Sequence, residues 1–131
     1  MAIKSFRSPL GRARGTGSTG QGTDHWWHQR LTSLALIPLA LYLIGTFLAY
    51  VVWGRSYASA RAWLHSPVTA AAVILLIGVG FHHGAAGLQV IIEDYLHCEK
   101  LKIVALIAVK FAAGFLALIG ILAVLKILLG A

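Results

Sequence analysis

Charge is what this sequence has least of. Lys, Arg, Asp and Glu together make up 11% of its 131 residues, and the acids number only four. Soluble domains carry about 25% charged residues, so a chain this small has too few to cover a water-facing surface. The soluble-enzyme classes fall away on that ground. Cysteine occurs once, at Cys98, which excludes an intrachain disulfide and any CxxC or zinc-spacing motif. The first thirty residues are polar and Gly-rich and lack the apolar core of a cleavable signal.

What the sequence has in abundance is hydrocarbon, with 59% hydrophobic residues. The formal charge of +7 would suggest nucleic acid in a soluble protein. Here the cations lie mostly outside the apolar runs, as topology signals and lipid-headgroup contacts do. Three runs exceed the roughly 18 residues needed to span a bilayer. The first, 31–53, and the second, 66–92, contain no Lys, Arg, Asp or Glu. The third spans 103–129, within an apolar run from Ile103 to Ala131 that holds only Lys110 and Lys126 as charges. Hydrocarbon offers no partner to an unpaired backbone group, so all three must be helical. The fold class is an all-α integral membrane protein, a single anchor domain over 1–131. Residues 1–30 form an N-terminal arm, and short polar connections join antiparallel helices.

Aromatic residues mark the boundaries: Trp26, Trp27, Tyr50 and Trp53 bracket the first span. Ser66-Pro67 opens the second, and Pro38 should kink the first or free a carbonyl. Lys4, Arg7, Arg12, Arg14 and Arg30, with Lys100 and Lys102, oppose only Arg55 and Arg61 in the first loop. That imbalance places the N-terminus and second loop in the cytoplasm and the C-terminus in the periplasm. Lys110 and Lys126 can snorkel to the two interfaces.

The second span carries the chemistry, in Gly80-Phe81-His82-His83-Gly84-Ala85-Ala86-Gly87. A histidine within a membrane helix is a functional-site hypothesis by default, and axial ligation of haem iron is its commonest employment there. Gly80, Gly84 and Gly87 clear space for a flat macrocycle or for another helix. The alternatives are a small-residue packing face, a proton path or another metal. His82 and His83 point ~100° apart, so the pair cannot grip both faces of one macrocycle. No histidine lies in the first or third span. A second axial ligand must then come from another chain.

Eleven residues beyond His83 stands Asp94, followed by Tyr95. Eleven helical steps return to within ~20° of the starting direction after a rise of ~16 Å. A tyrosine hydroxyl beside a carboxylate at the membrane edge suits a quinone carbonyl and its proton source. The same pair also suits an ordinary interfacial anchor with a helix-end acid.

The stretch His83-x-x-x-Gly87-x-x-Val90-Ile91-x-x-Asp94-Tyr95, with His25-Trp26-Trp27-x-Gln29-Arg30-x-Thr32 before the first span, resembles the small hydrophobic membrane-anchor subunit of succinate dehydrogenase (respiratory complex II). The likeness is to the alphaproteobacterial form and runs from about Gly15 to the end. It implies a subunit of an enzyme complex in the bacterial cytoplasmic membrane, with no complete active site in this chain. His83 would be an axial ligand of haem b, shared with a histidine of a second membrane-anchor subunit. Tyr95 would bond ubiquinone with Asp94 beside it, and Arg30 would lie near the haem propionates. Electrons from succinate would arrive through an iron–sulfur subunit fed by a flavoprotein. A quinol:fumarate reductase anchor and a redox-inert structural anchor are the alternatives.

A one-residue shift would make His82 the ligand, although His83 keeps the register with Gly87 and Asp94. His25 and His28 are expected to be solvated or lipid-facing. His65 and His97 are expected to be loop residues, and Cys98 a plain loop thiol.

Overall fold

The computed structural model describes Ser8, Leu10 and residues 22–53 and 56–130. Most of the expected N-terminal arm, including Lys4, Arg7, Arg12 and Arg14, lies outside the described residues, as does Arg55. Among the described residues all regular structure is helical, and from Gly22 onward it forms four helices: α1 (Gly22–Trp53), α2 (Tyr57–His65), α3 (Pro67–Tyr95) and α4 (Glu99–Leu128).

Three of these can cross a membrane by length and composition: Trp26–Tyr50 of α1, all of α3 and all of α4, with mean hydropathies of 2.0, 1.7 and 2.5. Helix α1 begins well before the apolar run does, because polar residues continue a helix as readily as apolar ones once it exists. His28 and Arg30 therefore lie inside α1, just before the run 31–53 that the sequence marked as the first span. The helix also continues through Pro38, which has no N–H to offer the carbonyl of Leu34.

The first loop is not the plain polar connection expected. It contains α2, which Ser56 starts through a reciprocal cap. The Ser59 N–H donates to Ser56 Oγ at 3.1 Å, and the Ser56 N–H donates to Ser59 Oγ at 3.1 Å. Two orphan donors are satisfied at once. The Tyr50 hydroxyl donates to the Ser56 carbonyl at 2.9 Å, and Phe47 meets the Trp63 ring at a centroid distance of 6.0 Å. These contacts fold α2 back against the end of α1. His65 accordingly ends a helix rather than sitting in a loop.

Helix α3 is central. It packs against both α1 and α4, which do not pack on each other. Close approaches fix an antiparallel register between α1 and α3. A Cβ placed at Gly80 would meet Leu36, and one placed at Gly87 would meet Gln29, at 4.0 and 3.7 Å. Towards α4, a Cβ at Gly120 would lie 3.2 Å from Ile77 Cδ1. Among the described residues only Leu43, Thr69, Ala70, Ala72, Ile92 and Val124 are buried. With lipid as solvent, this sparse core is what three apolar helices need; association there rests on packing rather than on water exclusion.

Candidate functional site

The α1–α3 register brings Thr32 to His83, across 51 positions of sequence. Thr32 Oγ1 lies 2.9 Å from His83 Nδ1. The same oxygen is 2.7 Å from the His28 carbonyl oxygen and 3.1 Å from that of Gln29. A helical threonine commonly returns its hydroxyl hydrogen to the preceding turn in this way. His83 is half-buried at this contact. Beside it, Gln29 packs towards Gly87, and its Oε1 is buried with no hydrogen-bond partner among the described residues. A buried acceptor of that kind costs about 1–3 kcal/mol unless something else bonds it.

His82 faces a different space. A groove of about 500 Å³ is lined by His82, Gln89, His28 and Lys110, with small residues such as Ala113 and Gly114 between them. His83 does not line it. Lys110 thus shares a mainly apolar groove with His82, where the sequence favoured snorkelling, and His28 lies in the same groove. Gln89 extends the polar strip by donating to Glu93 Oε1 at 2.8 Å. A second groove of about 580 Å³, almost wholly apolar, runs past Gly80, Gly84 and Leu88. Among the described residues, nothing outside the local helix backbone lies within 4 Å of a Cβ placed at Gly84.

Asp94 and Tyr95 end α3, and both are exposed; Tyr95 is 76% exposed. Arg30 is exposed and holds its guanidinium over the Trp26 ring, 4.2 Å from the centroid. Trp26 in turn meets Trp27 edge-on at 5.2 Å. The structure therefore joins His83 to Thr32, seats His82 with Lys110, and leaves Arg30, Asp94 and Tyr95 on outward-facing surfaces.

The expected haem can be tested against these residues. An axial histidine needs one bare ring nitrogen, with the other held by an acceptor. Thr32 Oγ1, 2.9 Å from Nδ1, can serve as that acceptor, which would leave Nε2 for iron. The donor set fits.

Residues 4–120 match the succinate dehydrogenase/fumarate reductase transmembrane subunit family. The chain belongs to that family. Among curated relatives, the succinate dehydrogenase hydrophobic membrane anchor subunit of Rickettsia bellii (strain RML369-C) is 34% identical over 106 residues, which cover 80% of this chain and 82% of the relative. The succinate dehydrogenase membrane anchor subunit of Reclinomonas americana is 31% identical over 97 residues, covering 72% and 80%. The hydrophobic membrane anchor subunit of Paracoccus denitrificans is 29% identical over 113 residues, covering 86% and 85%. The resemblance carried by the His–Gly–Asp-Tyr spacing is borne out at the level of family. Three candidate spans agree with a transmembrane family, and the bacterial inner membrane fits the Rickettsia and Paracoccus relatives.

Thr32 and Gln29 had no assigned role in the sequence, and Lys110 only a snorkelling one. Only the antiparallel register pairs residues 29, 32 and 36 with 87, 83 and 80, and no local pattern announces it.

Proposed function

We propose that this chain is the membrane-anchor subunit of a succinate:quinone oxidoreductase, holding one axial position of a haem b and part of a ubiquinone-reduction site. The observation that carries the reading is the Thr32–His83 contact within a membrane helix pair. A polar side chain 51 positions away is spent on one imidazole where apolar residues would pack without desolvation cost. Family membership supplies the setting.

In this reading His83 would hold the haem iron through Nε2, and a histidine of a companion membrane-anchor chain would share it. Haem, when bound, supplies a one-electron carrier within the membrane. Arg30 would bond the haem propionates on releasing the Trp26 ring. At the end of α3 the Tyr95 hydroxyl donates to a quinone carbonyl, and Asp94 offers a carboxylate beside it for proton delivery. Electrons come from succinate through a flavoprotein and an iron–sulfur subunit that sit on the cytoplasmic side. The N-terminus and the α3–α4 connection face that side, and the C-terminus faces the periplasm.

The test compares His83→Ala with His82→Ala in the assembled complex. The reduced b-haem band should vanish in the first and persist in the second, while succinate oxidation by an artificial dye continues in both. A normal haem band in His83→Ala sinks the ligand assignment.

A further inference from the structure

The ligand reading names His83; the geometry around it names what holds His83 in place. Thr32 has one hydroxyl hydrogen and three acceptors within reach: two carbonyl oxygens of its own helix and His83 Nδ1. The two ways of placing that hydrogen are not equivalent. If the hydroxyl donated to Nδ1, its oxygen would face the His28 carbonyl oxygen at 2.7 Å with no hydrogen between them. Two bare oxygens repel at that distance. If the hydroxyl donates to the carbonyl, Oγ1 is left as an acceptor, and Nδ1 must carry the imidazole hydrogen. Hydrogen-bond accounting therefore selects the tautomer with Nε2 unprotonated.

The same contacts fix orientation. Bonding to the preceding turn restricts the threonine side chain, whose β-branch already limits its rotamers. An acceptor fixed on α1 then fixes the plane of a ring carried by α3. Lipid offers no water to replace the bond.

We infer that Thr32 is the positioning residue of His83, setting its tautomer and ring plane and thereby the electron-donating strength of Nε2. The inference rests on the haem-ligand reading above and deepens it. A ligating histidine that donates its second N–H is a stronger donor to the metal. Loss of the acceptor should weaken that donation, favour the reduced iron and raise the haem potential.

The experiment uses the complete complex carrying Thr32→Val, which keeps the shape and deletes the hydroxyl. Thr32→Ser keeps the hydroxyl, and Thr32→Ala is a second hydroxyl-free variant should valine block assembly. Three readouts are taken: haem per complex, the electron paramagnetic resonance signal of the oxidised haem, and its midpoint potential. In Thr32→Val or Thr32→Ala the oxidised–reduced equilibrium should move about threefold towards reduced, an upward shift of about 30 mV for one electron. The resonance signal should move with the freed ring plane, and haem should dissociate about tenfold more readily. Thr32→Ser should restore the potential and the signal. An unchanged potential and signal in the hydroxyl-free variants overturns the positioning role, even if complex yield falls. His83→Ala, run alongside, separates the two failures. Haem lost in His83→Ala with no response at Thr32 leaves the ligand reading standing and removes this inference; haem retained in His83→Ala removes both.

Discussion

Gly84 and Gly120 offer a paired test of where another chain docks. A Cβ at Gly120 would lie 3.2 Å from Ile77 Cδ1 and 3.5 Å from its Cγ2. Gly120→Leu therefore pushes a branched side chain into the α3–α4 seam, an overpacking cost of about 1–3 kcal/mol within the chain itself. Gly84 is different, because a Cβ there meets nothing within 4 Å. Gly84→Leu starts from open space at its Cβ, beside a groove of this chain, and gains up to about 1 kcal/mol of helix propensity. A penalty in assembly without one in insertion then comes from a neighbour. If the companion anchor packs closely along this strip beside His83, the leucine should cost about 1–3 kcal/mol there, or roughly 5- to 150-fold in assembly. The assay co-expresses all subunits and measures inserted chain in washed membranes beside intact complex on native gels. Gly84→Leu should insert normally and assemble poorly, whereas Gly120→Leu should lower both quantities. Wild-type assembly of Gly84→Leu would refute the reasoning and place the companion on another face.

Tyr95→Phe keeps the ring and its anchoring and deletes one donor; haem content should stay normal while quinone reductase activity falls at least about tenfold, the rate equivalent of ~1.4 kcal/mol, with succinate–dye turnover unchanged. An unchanged ratio of quinone to dye turnover makes Tyr95 an interfacial anchor only. Cys98, exposed and the sole thiol of the chain, reports orientation. A membrane-impermeant maleimide should label it in inside-out vesicles and not in right-side-out ones, and the reverse pattern inverts the topology.

The spans were legible because hydropathy integrates over many residues, and hydrocarbon leaves a helix as the only solution for each. The ends were less legible. Helix α1 begins at Gly22, among residues whose polarity says nothing against a helix, and α2 arises from a two-serine cap that is easily taken for loop composition. His83 announced itself through its improbability in a membrane. Thr32 did not, since a threonine near a helix start has many ordinary uses and its partner lies 51 positions away. Lys110 could face the site or snorkel, and snorkelling was favoured; the groove it shares with His82 and Gln89 exists only once α3 lies beside α4.

The sparse burial of the chain bears on how its sequence can drift. Where a side chain meets lipid tails, one aliphatic group is nearly as good as another, and exchange among Leu, Ile, Val and Ala leaves the free energy almost untouched. Many large apolar residues of the spans are of that kind, including Leu34, Leu41, Val104 and Leu122, each more than half exposed. Such positions are held to a class of residue and not to an identity. Two chains can then keep the same three helices while agreeing at only a quarter to a third of their aligned positions, which is the range of 24–34% found with the relatives. In a protein of this design, ancestry is written in a few polar letters, and the hydrocarbon between them is free to be respelled.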